Sequence, residues 1–297
     1  MPLALPLFAS FLYAIGSWGL KSGLRLGANP RIVAALSNLS MAGWSAPLIF
    51  FFPGQPHTAG FLGAILAGGA LFLGRLCAIQ ALAHGDLSHA TPLLGTKTIF
   101  VALLTFLFLD EPISHSLIAA AALTSVAVFL LSITLTPNSK SWWPRNFDRV
   151  TTGWALLAAL LFAVTDITVQ KFARLLGVGW FQPVMFSTLA LLTPLLFVSE
   201  IRSPRSILNL LPPSSRSSVL VGSGVIGFQT SLVILVIGLF GHATATNVVY
   251  AARGLWAILL EGALGGGSAY HDKRILAVRL SGAALLLAAV AIAVGSL

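Results

Sequence analysis

Three cations lie where headgroups and water are hard to reach. Arg75, Lys97 and Arg253 each sit well inside a long apolar run. A Lys or Arg at the centre of a membrane helix costs about 2.5–3.5 kcal/mol, so three facing lipid would cost on the order of 8–10 kcal/mol. That equals the whole stability of an ordinary domain. Such residues are therefore expected to face the interior of a helix bundle or a water-filled cavity, and to be paired. The acids able to meet them at depth are Asp166 and Glu261, whereas Asp86, Asp110 and Glu111 fall in turns. Three deep cations against two deep anions leave a positive surplus, and an anionic substrate could supply the missing charge. Lys97 and Arg253 are the first candidates for that contact. Arg75 is divided between lining the site and bracing helices against Asp166.

Other residues could complete the site. Asn247, Tyr250 and Arg253 recur every three residues and share one helix face. Trp18, Ser17, Gln80, Thr96, Gln229 and Trp256 are further candidates for a polar and aromatic lining, although aromatic residues in a span more often serve packing. Phe162, Asp166 and Gln170 also share a face. A carboxylate that exchanges protons needs burial without a neighbouring cation. Asp166 is therefore read as an ionised partner, and Glu261 as the better proton-coupling candidate or else as an interfacial acid.

These side chains must be positioned by membrane-spanning helices. Of 297 residues 57% are hydrophobic and only 8% charged, against about 25% charged in soluble domains. A crossing needs about 20 apolar residues. Ten segments qualify, at about 3–20, 32–52, 59–83, 89–109, 114–135, 152–170, 180–199, 217–240, 243–264 and 275–296. The fold class expected is an all-α polytopic membrane protein, integral and multi-pass, with a bacterial inner (plasma) membrane as its setting. The longest connection, "TPNSKSWWPRNFDR" at 136–149, divides the chain nearly in half. "LYAIGSWGLKSGLRLGANP" from Leu12 echoes "LFAVTDITVQKFARLLGVGWFQP" from Leu161, and "HATPLLGTKTIFVALLTFLF" from His89 echoes "TATNVVYAARGLWAILLEGA" from Thr244. Five spans per half is odd, so the second half enters from the opposite side. The expected organisation is two inverted five-helix repeats, 1–135 and 151–297, joined by a linker at 136–150, a signature of secondary transporters. In that alignment Lys97 and Arg253 stand one residue apart.

The chain resembles the drug/metabolite transporter superfamily in its ten-span, EamA-like form. The likeness covers nearly the whole length and is most specific in "ALAHGDLSHATPLLGTKTIFVALLTFLFLDEPIS", where Pro92 and Glu111 hold the proline and glutamate positions. The second half departs from the pattern: Asn247 stands where proline is expected, and Glu261 comes about five residues early. The resemblance implies a helical carrier working by alternating access. It also implies, by likeness to organellar sugar-phosphate exchangers of the superfamily, that basic residues on spans four and nine hold an anion. The cargo expected is a small anionic metabolite. An exporter of neutral or zwitterionic metabolites, with Lys97 and Arg253 paired internally, stays open. So do proton or counter-substrate coupling and the oligomeric state.

Connections after odd-numbered spans, counted with Arg279 at the start of the tenth span, carry twelve Lys/Arg and those after even-numbered spans two. The positive-inside rule then places the odd connections in the cytoplasm and both termini outside, opposite to the arrangement the resemblance implies. No cofactor, metal or nucleic-acid partner is expected, and no enzyme. "GSGVIG" at 222–227 lies in an apolar span without a preceding strand, so its glycines, like Gly60, Ala64 and Gly68, are read as helix-packing positions. "NLS" at 38–40 is a sequon inside span two. His84 and His89 lack further ligands nearby. Cys77, the single cysteine, is read as a buried, inert thiol.

Overall fold

The computed structural model describes residues 3–84, 93–109, 114–132, 149–198, 210–263 and 273–296. Among these all regular structure is helical. Six helices are long and apolar enough to cross a membrane, and Leu93–Phe108 and His115–Leu131 are shorter apolar helices. The chain is by this measure a helical membrane protein. The linker at 136–148, the turns carrying Asp86, Asp110 and Glu111, and Pro92 lie outside the described residues.

The helices are α1 (Ala4–Arg25), α2 (Pro30–Ser45), the short α3 (Leu48–Phe51), α4 (Thr58–His84), α5 (Lys97–Phe108), α6 (His115–Ser132), α7 (Arg149–Leu176), α8 (Val178–Leu192), α9 (Arg216–Phe240), α10 (Ala243–Tyr250), α11 (Arg253–Ala263) and α12 (Lys273–Gly295). Local chemistry sets several ends. Asn29 caps α2 by accepting from the Arg31 N–H at 2.9 Å, with Pro30 at the first helical position. Pro47 follows the end of α2 and separates it from α3. Gly177 joins α7 to α8 with φ +83, a conformation that L side chains rarely adopt. Gly241 (φ +83) and His242 (φ 41) make the tight link from α9 to α10.

The contacts divide the chain into two compact units, each drawing on both halves of the sequence. One combines Leu73–Ile167 with His242–Leu297; the other combines Pro2–Phe72 with Thr168–Gly241.

In the second of these units, α9 packs along α1 and α2. The approach is close because it runs over glycines. A Cβ on Gly19 would lie 3.2 Å from the Gly222 Cα, and one on Gly16 would lie 2.9 Å from Ile226 Cγ1. Gly227 is likewise closed against Ser40, whereas Gly224 has open space. The "GSGVIG" glycines thus serve packing at two of three positions. Gly60 and Gly68 meet Leu176 and Thr188, and Ala64 between them is fully buried. Asn38 of the sequon is 1% exposed and donates to Thr193 Oγ1 at 3.0 Å, so it is a packing residue with no access for a glycan.

The unit holding Lys97 has a different interior. α6 and α12 pack together over alanines, with Ala120, Ala121, Ala289 and Ala293 joined by Ala102 of α5 and Val248 of α10. All eight residues of α10 are buried. α5 buries one stripe, Thr98, Val101, Ala102 and Thr105, and exposes Ile99, Leu103, Phe106 and Leu107 on the opposite side. That is the 3.6-residue pattern of a helix with one face to protein and one to lipid. Thr105 and Thr244 hydroxyls hydrogen-bond at 3.2 Å, tying α5 to α10. Cys77 is buried and free.

Candidate functional site

A charge of α5 pairs with one of α7, and charges of α7 and α11 meet neutral partners on α10. Lys97 Nζ lies 2.7 Å from Asp166 Oδ2, with side-chain exposures of 16% and 4%. Asn247 Nδ2 donates to the same oxygen at 2.6 Å and to the Ala243 carbonyl at 2.9 Å. One carboxylate oxygen thus ties three helices together. Charge-assisted bonds of this length are about twice as strong as neutral ones. The bond from Asn247 also fixes the carboxylate rotamer that receives Lys97. Arg253 stacks over Tyr250, with its guanidinium carbon 4.7 Å from the ring centroid. A cation over an aromatic face gains about 0.5–2 kcal/mol, more when desolvated.

The backbone is irregular at these cations. The apolar helix Leu93–Phe108 is interrupted at Thr96, immediately before Lys97. The Thr96 N–H bonds to the Leu93 carbonyl and the Ile99 N–H to the Thr96 carbonyl, three residues back instead of four. Near Arg253, α10 ends at Tyr250 and α11 begins at Arg253, with Ala251 and Ala252 between. There the Ala252 N–H bonds to Val249 and the Gly254 N–H to Ala251, again three back. Tightened turns inside a helix are common at functional hinges. Sequence reading treated each of these segments as one continuous span, because neither interruption contains a Pro or Gly signal.

Lys97, Asn247, Tyr250 and Arg253 line a small cavity of about 20 Å³, together with Gly95 and Val128 among others. That volume admits about one water-sized group, far below the roughly 300–1,000 Å³ of a pocket enclosing a drug-sized ligand. In this conformation the cavity takes one polar group and not a whole metabolite. Gly95 of the first interrupted segment and Tyr250 of the second both line this space.

The expected site residues are distributed as follows. Lys97, Asp166, Asn247, Tyr250 and Arg253 come together. Arg75 belongs to the same unit but is not among the residues lining the cavity; its neighbour Gly74 is closed against Phe162, which brings α4 and α7 close. Gln80 is exposed, and Trp256 and Thr96 are partly buried; none lines the cavity. Trp18, 51% exposed, Ser17 and Gln229 belong to the other unit. Gln229 is there tied to the Ile226 carbonyl and Thr230 Oγ1. The side chain of Glu261 lies outside the described residues. Sequence reading offered Asp166 to Arg75, or to the cations in general, and left Asn247 as a lining residue. The contacts seen for Asp166 are to Lys97 and Asn247. Gly95 and Val128 were missed, since nothing in their types marks a cavity wall.

No protein-family model matches the chain, and no curated protein matches it. Its fold is similar to that of a solved structure described only as "Crystal structure of protein", with a TM-score of 0.76 over 99% of this chain and 98% of the other at 16% identity. At that identity the likeness speaks for the fold alone.

Proposed function

We propose that this protein is a secondary carrier that moves a small anionic metabolite across a membrane by alternating access. In this reading it has ten spans in two inverted five-helix repeats, like the drug/metabolite transporters it resembles, with a bacterial inner membrane as its setting. Lys97 and Arg253 receive the anionic group, and Asp166 and Asn247 hold Lys97 in place. One observation carries the reading. Two apolar helical segments are each interrupted immediately before a cation, and both cations border one small polar cavity. Interrupted spans around an ion or substrate site are a recurring device of secondary transporters. A cavity too small for a whole metabolite is consistent with one state of a carrier whose site opens in another.

A second reading draws on the 2.7 Å ion pair itself. Lys97 neutralised by Asp166 would serve as a helix-tying partner in an exporter of neutral or zwitterionic compounds. Uptake into proteoliposomes separates the two. The carrier reading expects saturable uptake or exchange of phosphorylated or carboxylated compounds, lost in Arg253→Gln and Lys97→Gln. Uptake confined to neutral or zwitterionic compounds and indifferent to both substitutions would replace the first reading with the second.

A further inference from the structure

The Lys97–Asp166 pair bears on what charge the cargo can carry. Among the described side chains Asp166 is the only acid. It is 3% exposed, and the contacts it receives from Lys97 and from Asn247 both fall on Oδ2. Asn247 is itself held by the Ala243 carbonyl, so the carboxylate is fixed and cannot swing away from Lys97 without breaking a second bond. Lys97 therefore lines the cavity with its charge already balanced at 2.7 Å by a carboxylate that does not line it. Close to a buried ion pair each uncompensated charge on a ligand is costly, so a cation already balanced by a carboxylate offers a second negative charge less than an unpaired one would.

We infer that Asp166 is a specificity-determining residue: by balancing the Lys97 charge it favours monoanionic cargo over dianions. A monoanion gains the Lys97 ammonium as a hydrogen-bond donor and needs no further charge from it. A dianion needs a second compensating charge, and Asp166 has already claimed the one Lys97 carries. Asn247, standing where the resembled pattern has proline, is the positioning residue that keeps the carboxylate in register. This rests on the anion-carrier reading above.

The test uses the full chain purified in detergent at pH 8, with probes matched in size and different in charge. Succinamate and dimethyl phosphate are monoanions; succinate and methyl phosphate are the corresponding dianions. Apparent affinities come from thermal-shift titrations. Wild type is expected to bind each monoanion more tightly than its dianion. Asp166→Asn is expected to move that ratio toward the dianion by about tenfold or more, the scale of one added charge at short range. The double variant Lys97→Gln/Asp166→Asn, which has the net charge of wild type, is expected to return the ratio to the wild-type value. Tighter wild-type binding of the dianions, or a ratio unmoved in Asp166→Asn, overturns the inference and leaves the carrier reading standing. If none of the four anions shifts wild type while neutral compounds do, the anion-carrier reading falls and takes the inference with it. Should Asp166→Asn not fold, the wild-type ratio and the double variant still decide.

Discussion

The two compact units solve the same solvent problem with different chemistry. The unit built from Pro2–Phe72 and Thr168–Gly241 joins its helices through glycine contacts and neutral polar pairs. Ser37 donates to Ser223 Oγ at 3.3 Å, Asn38 to Thr193 Oγ1 at 3.0 Å, Trp44 to the Gly224 carbonyl at 3.0 Å and Gln182 to the Ser231 carbonyl at 2.9 Å. Each is a hydrogen bond between uncharged groups, which costs little to bury once made. The unit built from Leu73–Ile167 and His242–Leu297 packs over alanines and buries an ion pair. Neutral pairs would have sufficed to tie α5, α7 and α10 together, as they do in the other unit. Full charges cost far more to bury, so the ion pair described in this unit points to a use beyond packing.

The largest expected effect tests that contrast directly. Lys97→Met or Asp166→Leu alone leaves one charge buried without its partner and should cost about 3–5 kcal/mol, read as thermal or denaturant stability in detergent. The double substitution should be near neutral, or stabilise by about 1–4 kcal/mol, while uptake is lost. Single variants as stable as wild type would mean that water reaches the pair, and the contrast between the units would vanish. Next comes the glycine contact of the other unit. Gly19→Leu forces α1 from α9, where a Cβ alone already stands 3.2 Å from Gly222 Cα, and should cost about 1–3 kcal/mol. A smaller cost would show that α1 slides without loss.

The sequence showed most of what depends on local composition. A helix occupies each of the ten apolar segments, and the Asn29-Pro30 start of α2 is visible in "GANPR" because a cap and its proline are neighbours. Lys97 and Arg253 stood out because a charge in an apolar run is expensive wherever it points. What the sequence did not show is which helices face one another. Asp166 could have met Arg75 as well as Lys97, since both are cations in apolar helices and nothing local distinguishes them. The role of Asn247 was hidden for the same reason, as its partner lies on another helix. Thr96 and the Ala251–Ala252 pair carry no breaker residue, so nothing in their own types marks the interruptions there. Trp18 was drawn toward the site by its type alone and lies half exposed in the other unit.

Smaller effects sharpen the neutral side of the comparison. Asn38→Leu removes the bond to Thr193, and interhelical hydrogen bonds in membranes are worth about 0.6 kcal/mol on average and 1.7 at most. The cost should lie at or below that ceiling, because Asn38 Oδ1 is buried without a hydrogen-bond partner and its removal relieves a penalty. A loss as large as that of Lys97→Met would mean that neutral and charged pairs carry equal weight.

The smallest effect separates glycines that pack from glycines that merely occur. Gly69 lies in the same helix, α4, as Gly68, yet a Cβ there would meet nothing within 4 Å, while one on Gly68 would meet Thr188 Cβ at 2.8 Å. Gly69→Ala should therefore gain about 0.5–1 kcal/mol through reduced backbone freedom. Gly68→Ala should lose stability, because the added carbon has no room. Thermal denaturation of the two variants side by side measures the difference. Losses of the same size at both positions would show that α4 needs its glycines for flexibility and not for contact. The close-packed account of this unit would then have to rest on α1 and α9 alone.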